Sequence, residues 1–357
     1  MRAKSAMFYI KDVEEITKEL LDLCEDKKDA NNSLDIHPLL QLWSLESIAY
    51  IFLDKRLYCF STDDTKDNQD GKNMVEANRT MNVTNLQLFF MPKIWQYFPN
   101  LMPPYRKFEK ATETMVKITK ENVDTALEKL DLDDESDQSI LAKIARRNGK
   151  DSALCSTMAQ DALLAGIDTT GSTSTFLLYH LATNPKKQDI LYNEICDIIG
   201  SGDECITEAK LNKMRYLKAC LHESQRILPA TVGTSRIAQK DYVISGYQIP
   251  KGTMVINYNQ VASNYSENFV NPEVFLPERW LRSSPDAKSA HPFAAIPFGH
   301  GPRSCIGRRF ALLELHCLAI KVLQKYRLEY EGEPVDTKTE FLSVPDRDVI
   351  LKFITRK

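Results

Sequence analysis

Apolar residues recur at helical spacing through the first two-thirds of this chain. From Asp12 to Glu25 and from Pro38 to Phe52 they fall three and four apart, which gathers them on one face of a helix. Val75 to Met91 is amphipathic, and Tyr105 to Leu132 reads as a long helix with charge pairs four residues apart. Ser61 to Lys72 is polar and aspartate-rich, a predicted loop, and Leu132 to Ser139 is an acidic connector. Cys155 to Thr183 is the longest apolar helix, stopped by Asn184-Pro185, because the residue before a proline avoids helical angles. Lys187 to Ile199 and Glu208 to Leu228 are two further predicted helices. After Pro229 the character changes. Tyr242-Val-Ile-Ser-Gly-Tyr-Gln-Ile-Pro-Lys-Gly-Thr-Met-Val-Ile256 reads as strands, with Gly246 and Pro250-Lys-Gly252 at the turns. A turn-rich meander, a helix from Phe310 to Leu323 and a terminal hairpin around Val344-Pro-Asp-Arg-Asp348 complete the chain. The expected class is mainly α with small β-sheets (α+β). Nothing reads as a linker, so residues 1–357 are expected to form a single domain.

Composition narrows the classes. A hydrophobic content of 43% and a charged content of 27% are ordinary for a soluble globular protein, and a net charge of −3 gives no nucleic-acid footprint. The eight cysteines are scattered without a Cys-x-x-Cys pair, which points to free thiols in a reducing compartment. The N-terminus shows no signal peptide, arginine-rich transit peptide or membrane-spanning run.

The most informative stretch is Phe298-Gly-His-Gly-Pro-Arg-Ser-Cys-Ile-Gly307, directly ahead of the Phe310 helix. A thiolate is the metal-binding form of cysteine, and a helix N-terminus or a nearby cation favours it. Free backbone N–H groups at the helix start would point toward the Cys305 sulfur and tune a metal–sulfur bond. Gly301 and Gly307 permit backbone angles and close approach that a Cβ would block. Phe298 suits an apolar ring face, and Arg303 suits a carboxylate partner. The bland alternative is an inert cysteine before a core helix. At ordinary residue frequencies the pattern Phe-x-x-Gly-x-Arg-x-Cys-x-Gly has a chance of roughly 10⁻⁷ per starting position.

That pattern resembles the haem-ligand loop of cytochromes P-450, and the resemblance covers nearly the whole chain. It implies the cytochrome P-450 fold, haem b as cofactor, Cys305 as axial iron ligand, and Phe298, Gly301, Arg303 and Gly307 around it. Ala165-Gly-Ile-Asp-Thr-Thr170 in the long helix is similar to the family's oxygen-binding segment. By that resemblance Thr169 steadies dioxygen and Asp168 feeds protons. By itself, Thr169 is equally read as a helix-bending hydroxyl returned to the carbonyl of Ala165, beside a gap left by Gly166. Glu223-Ser-Gln-Arg226 and Pro277-Glu-Arg-Trp280 resemble a buried structural triad of Glu223, Arg226 and Arg279, although Glu-x-x-Arg alone is a common surface pair. Arg236, in Thr234-Ser-Arg236, matches a haem-propionate contact; an exposed edge-strand arginine is the alternative.

Several segments resemble the mitochondrial, ferredoxin-dependent branch of animals, insect-like in detail. These are Leu42-Trp-Ser-Leu-Glu-Ser-Ile48 with Leu53-Asp-Lys-Arg-Leu57, Leu217-Lys-Ala219, and Gly307-Arg-Arg309. Lys218, Arg308 and Arg309 are thus expected to dock an acidic, adrenodoxin-like ferredoxin fed by an NADPH reductase. His222 and Leu312 depart from the branch pattern, which usually has a lysine and an acid there. The aromatic run Phe89 to Phe98, followed by Met102-Pro-Pro104, lies where relatives touch a membrane surface, though core packing explains it equally well. The function implied is insertion of one oxygen atom from O2 into a small apolar substrate, steroid-like or xenobiotic, at the matrix side of the mitochondrial inner membrane. By the same resemblance the chain is expected to be an N-terminally truncated, partial P-450 domain, lacking the family's early strands and its helices bearing a tryptophan and arginine for the propionates. A catalytically inert haem-binding or interaction protein is the rival reading.

Overall fold

The computed structural model describes residues 6–61, 65–134, 137, 139–202, 204–282, 284 and 290–356. The first two-thirds is helical: α1 (Ile10–Lys27), α2 (His37–Leu53), α3 (Lys66–Phe90), α4 (Pro103–Lys129), α5 (Ile140–Asn148), α6 (Ser152–Thr183), α7 (Pro185–Ile198), α8 (Glu208–Lys213) and α9 (Arg215–Ile227). A short strand, β1 (Ser33–Asp35), lies between α1 and α2. The last third holds β2 (Thr234–Ile237), β3 (Tyr242–Ile244), β4 (Tyr247–Ile249), β5 (Met254–Asn257), the short α10 (Asn259–Ser263), α11 (Arg308–Lys325), β6 (Tyr326–Glu329), β7 (Thr337–Glu340), β8 (Leu342–Pro345) and β9 (Ile350–Thr355). All strand pairings are antiparallel, in one three-stranded sheet (β1-β9-β6) and three two-stranded ones (β2-β5, β3-β4, β7-β8). The mainly-α expectation with small sheets holds.

Helix α6 is the axis. From Thr170 to Ala182 every residue is buried, so the helix is covered on all sides, as expected of a core helix apolar all round. It packs against α2, α4, α9 and α11. Asp151 caps its start by accepting a hydrogen bond from the Leu154 N–H at 3.1 Å, and Asn184-Pro185 ends it.

Four local expectations change. Helix α3 begins at Lys66, inside the stretch read as a loop, because Thr65 is an N-cap accepting from the Asn68 N–H at 3.3 Å. The side chain of Asn68 donates to the carbonyls of Tyr58 and Ser61, both at 2.9 Å, which ties the preceding turn to the helix. The predicted helix Glu208 to Leu228 is two helices broken at Met214. The second starts there because Glu194, on α7, accepts from the N–H groups of Arg215 and Tyr216 at 2.7 Å and of Leu217 at 2.9 Å. A cap supplied by another helix leaves no local sequence signal. Helix α5, directly after the acidic connector, has no counterpart among the predicted helices; Ser139 caps its start. The terminal hairpin turns at Phe341, between β7 and β8, rather than at Val344–Asp348; β9 beyond it pairs with β6 and β1.

Candidate functional site

Cys305 sits at the tip of a loop between a single 3-10 turn, Gly301–Arg303, and the start of α11. Its N–H donates to the Phe298 carbonyl at 2.8 Å, closing the loop over seven residues. Gly301 has φ +77, a left-handed value that favours glycine, but nothing stands within 4 Å of where its Cβ would be. Its conformation serves the turn. Gly307 has an ordinary φ of −82 at the N-cap of α11, and its Cβ position lies 3.9 Å from the Cys305 sulfur. Gly307 thus needs no special backbone angle here, and its place shows that the sulfur lies over the helix start. Cys305 and Arg303 are exposed, and Phe298 is half-buried with the Arg308 guanidinium 5.5 Å from its ring centre. At the third residue of the helix the chain turns inward: Phe310 is buried edge-on to Tyr9 and Phe52.

On α6 the residues Met158, Asp161 and Ala165 are exposed and Thr169 is half-buried, an open stripe at helical spacing that runs up to the covered half of the helix. The Thr169 hydroxyl donates to the Ala165 carbonyl at 2.7 Å. The gap beside Gly166 is filled by Ile48 of α2, 3.1 Å from the glycine's Cβ position. Asp168 points the other way. Its Oδ1 accepts from Gln41 Nε2 at 2.8 Å and its Oδ2 from Asn82 Nδ2 at 2.5 Å. Burial pushes its carboxyl above the usual range, and the two amide hydrogen bonds offset this only in part. Neither Gln41 nor Asn82 stood out in the sequence, because they lie 127 and 86 residues away from Asp168.

Glu223, Arg226 and Arg279 meet behind α9. Glu223 Oε1 lies 2.9 Å from both Arg226 Nη2 and Arg279 Nε. Glu223 Oε2 accepts from Arg226 Nε at 3.0 Å and from Trp280 Nε1 at 2.8 Å. Trp280 is thus a fourth member, legible only as the neighbour of Arg279 in Pro277-Glu-Arg-Trp280. Burial would raise the Glu223 carboxyl, but the Arg226 hydrogen bonds and the charges of both arginines outweigh it and hold it below its ordinary value.

Lys218, His222 and Arg308 form one neighbourhood. His222 stacks on Trp280, ring centres 5.4 Å apart, and is pushed down by burial and then by the Arg308 charge. Lys218 is half-buried, donates to the Asn212 carbonyl at 3.1 Å, and is lowered by burial. Arg308 and Arg309 are exposed. Arg236 lies on β2, exposed, with Nη1 donating to the neighbouring Ser235 carbonyl at 2.7 Å.

Among the described residues no group of three or more His, Cys, Asp or Glu could hold a metal ion. A thiolate at Cys305 suits a metal group that carries its other ligands with it, as an iron porphyrin does. The exposed thiol and the open glycine turn leave room for such a flat ring. The cytochrome P450 family profile matches residues 1–353. The chain belongs to the cytochrome P450 family. The family carries haem b with a cysteine thiolate as axial ligand to iron. Similar proteins include "Probable cytochrome P450 49a1" of Drosophila melanogaster, 34% identical over 100% of this chain and 62% of its own length. "Probable cytochrome P450 12b2, mitochondrial" of the same species is 32% identical over 99% of this chain and 67% of its own. "Cytochrome P450 CYP12A2" of Musca domestica is 33% identical over 99% and 68% respectively. This P450 chain thus spans about two thirds of the length of these relatives, and all eight of its cysteines are free.

Proposed function

We propose that the protein is a haem-thiolate monooxygenase of mitochondria that hydroxylates or otherwise oxygenates a small apolar substrate. The observation that carries this is an exposed thiol, Cys305, set between a left-handed glycine turn and the N-terminus of a buried helix. When bound, the haem activates dioxygen, and a cysteine ligand favours O–O cleavage, as is general in this family. Cys305 would hold the iron, with Phe298, Gly301, Arg303 and Gly307 shaping its surroundings and Arg236 offering a cation to a propionate. Thr169, on the open stripe of α6, orients a hydroxyl, and the Asp168 carboxyl behind it holds and passes a proton. Glu223, Arg226 and Arg279 are assigned to holding the fold.

Relatives named as mitochondrial support that location, and with it electrons from an acidic ferredoxin served by an NADPH reductase. Lys218, Arg308 and Arg309 are the docking cations of this reading. No helix among the described residues is long and apolar enough to cross a membrane. The proposed contact with the inner membrane, on the matrix side, runs through Phe90, Tyr97 and Leu101, each more than 70% exposed. The deciding experiment is the spectrum of the reduced, carbon-monoxide-bound haem-loaded protein. It should show the thiolate Soret band, and Cys305→Ala should abolish it; a band unchanged in the variant would refute the assignment.

A further inference from the structure

Asp168 is buried at the meeting of three helices, and what holds it is chemically unusual. Both of its oxygens are occupied by amide donors, Gln41 from α2 and Asn82 from α3. Their reach depends on the helix packing. Gly171, one turn after Asp168, lets the α2 backbone approach to 3.3 Å between the glycine's Cβ position and the Gln41 Cα. The charges that face Asp168 are Arg79, on α3, which stabilises the carboxylate, and Glu340, on β7, which opposes it. They act in opposite directions and neither bonds to it. On α2 the nearest titratable group, His37, is pushed down to about 4 by burial and so carries no charge at neutral pH.

A buried carboxyl is ordinarily stabilised by a cation, which locks it ionised. An amide differs from a cation in one respect: it carries both a donor and an acceptor. When Asp168 is ionised, two N–H groups meet two acceptor oxygens. When it is protonated, one oxygen must donate, and a half-turn of either amide presents a carbonyl to receive it. A lysine or arginine has no such second state.

We propose that Gln41 and Asn82 are positioning residues that clamp Asp168 through uncharged amides, aiming the carboxyl while leaving it free to gain and lose a proton. This rests on the reading of Asp168 as the proton carrier for Thr169's side of the helix. The raised Asp168 carboxyl agrees with it, since burial is left without a compensating cation.

The test is an infrared titration of the purified chain, following the carboxylic-acid C=O stretch that disappears in Asp168→Asn. Asn82→Ala removes a donor to the charged form and should move the Asp168 midpoint up by about one unit. Asn82→Lys supplies a cation and should move it down by at least as much. Asn82 is only half-buried, so both variants should fold, and unchanged helical circular dichroism checks this. Gln41→Met, the same length without donors, should repeat the upward shift. Midpoints that stay put, or that move the same way in Asn82→Ala and Asn82→Lys, overturn the clamp. In the haem-loaded enzyme the pH profile of product formed per electron consumed should move with the infrared midpoint, which a merely structural role would not cause. Asp168→Asn with unchanged product per electron would sink the proton-carrier reading by itself, leaving the clamp to be decided by the titration.

Discussion

At the scale of single residues, Glu223 receives five hydrogen bonds on two oxygens: two from Arg226, and one each from Arg279, the Leu276 N–H and Trp280. Arg226 is itself fully buried and spends its remaining donors on the carbonyls of Ser263 and Pro272. Removing the carboxylate strands two guanidinium groups away from water. Glu223→Gln should therefore cost about 3–5 kcal/mol in chemical denaturation. Trp280→Phe, which removes one neutral donor and keeps the ring against His222, should cost only about 1 kcal/mol. Because the folded carboxyl is held below its ordinary value, its stabilising effect is complete above the unfolded carboxylate range and is lost as pH falls through the folded value. Equal losses from the two substitutions would show that packing and not charge holds this corner.

At the scale of elements, α11 buries polar groups that have no evident work in holding the fold. Glu314 is fully buried and pushed up to about 8 by desolvation, and its Oε1 has no hydrogen-bond partner. Two residues on, His316 is pushed down to about 3 by burial, then by the Lys218 and His222 charges. The signs oppose. Glu314 stays protonated in the folded state while the unfolded chain ionises, so its contribution falls as pH rises from the unfolded carboxylate value to about 8. His316 stays neutral while the unfolded chain protonates, so its contribution falls as pH drops below the unfolded imidazole value. Between those two unfolded values the slopes cancel, and above the imidazole value only the Glu314 slope remains, at about 1.4 kcal/mol per pH unit. Glu314→Gln should thus raise stability at pH 8 by a few kcal/mol, with little change at pH 4. Melting curves at the two pH values check this; an equal change at both would refute the ionisation argument. By contrast Lys321, two turns past Glu314, is matched to Glu14 of α1 at 2.8 Å, so the same helix carries a paired buried charge and two buried groups kept neutral.

At the scale of the whole molecule, the Cys305 loop and the basic neighbourhood are joined by α9 and α11. Arg308 lies over Phe298 of the loop and also bears on His222 of α9, so a partner docked on these cations would sit beside the Cys305 tip. His222, where a lysine is usual in the branch, is stacked on Trp280 and kept neutral by burial, which leaves Lys218, Arg308 and Arg309 to carry the positive potential. Arg309→Glu should reduce ferredoxin-supported turnover about tenfold or more at low ionic strength and flatten its salt dependence, with the carbon-monoxide spectrum intact. Steady-state rates across a salt series check this, and an unchanged slope would remove Arg309 from the docking surface.

Most of the helices and their order, α5 and the split at Met214 excepted, were legible in the sequence, as were the switch to strands past Pro229 and the Cys305 loop. Each rests on short-range chemistry: apolar spacing of three and four, prolines at Pro185 and Pro250, and a ligand pattern contained within ten residues. Arg279 aside, what the sequence did not carry were the features whose partner comes from elsewhere in the chain. The break at Met214 depends on a carboxylate from α7, the fourth member around Glu223 comes from a different turn, and the grip on Asp168 comes from two other helices. Local sequence decides which backbone a segment adopts, because caps, turns and periodicity act within a few residues. Only the folded packing decides which side chains share a buried space, and with it which carboxyl is charged and which can carry a proton.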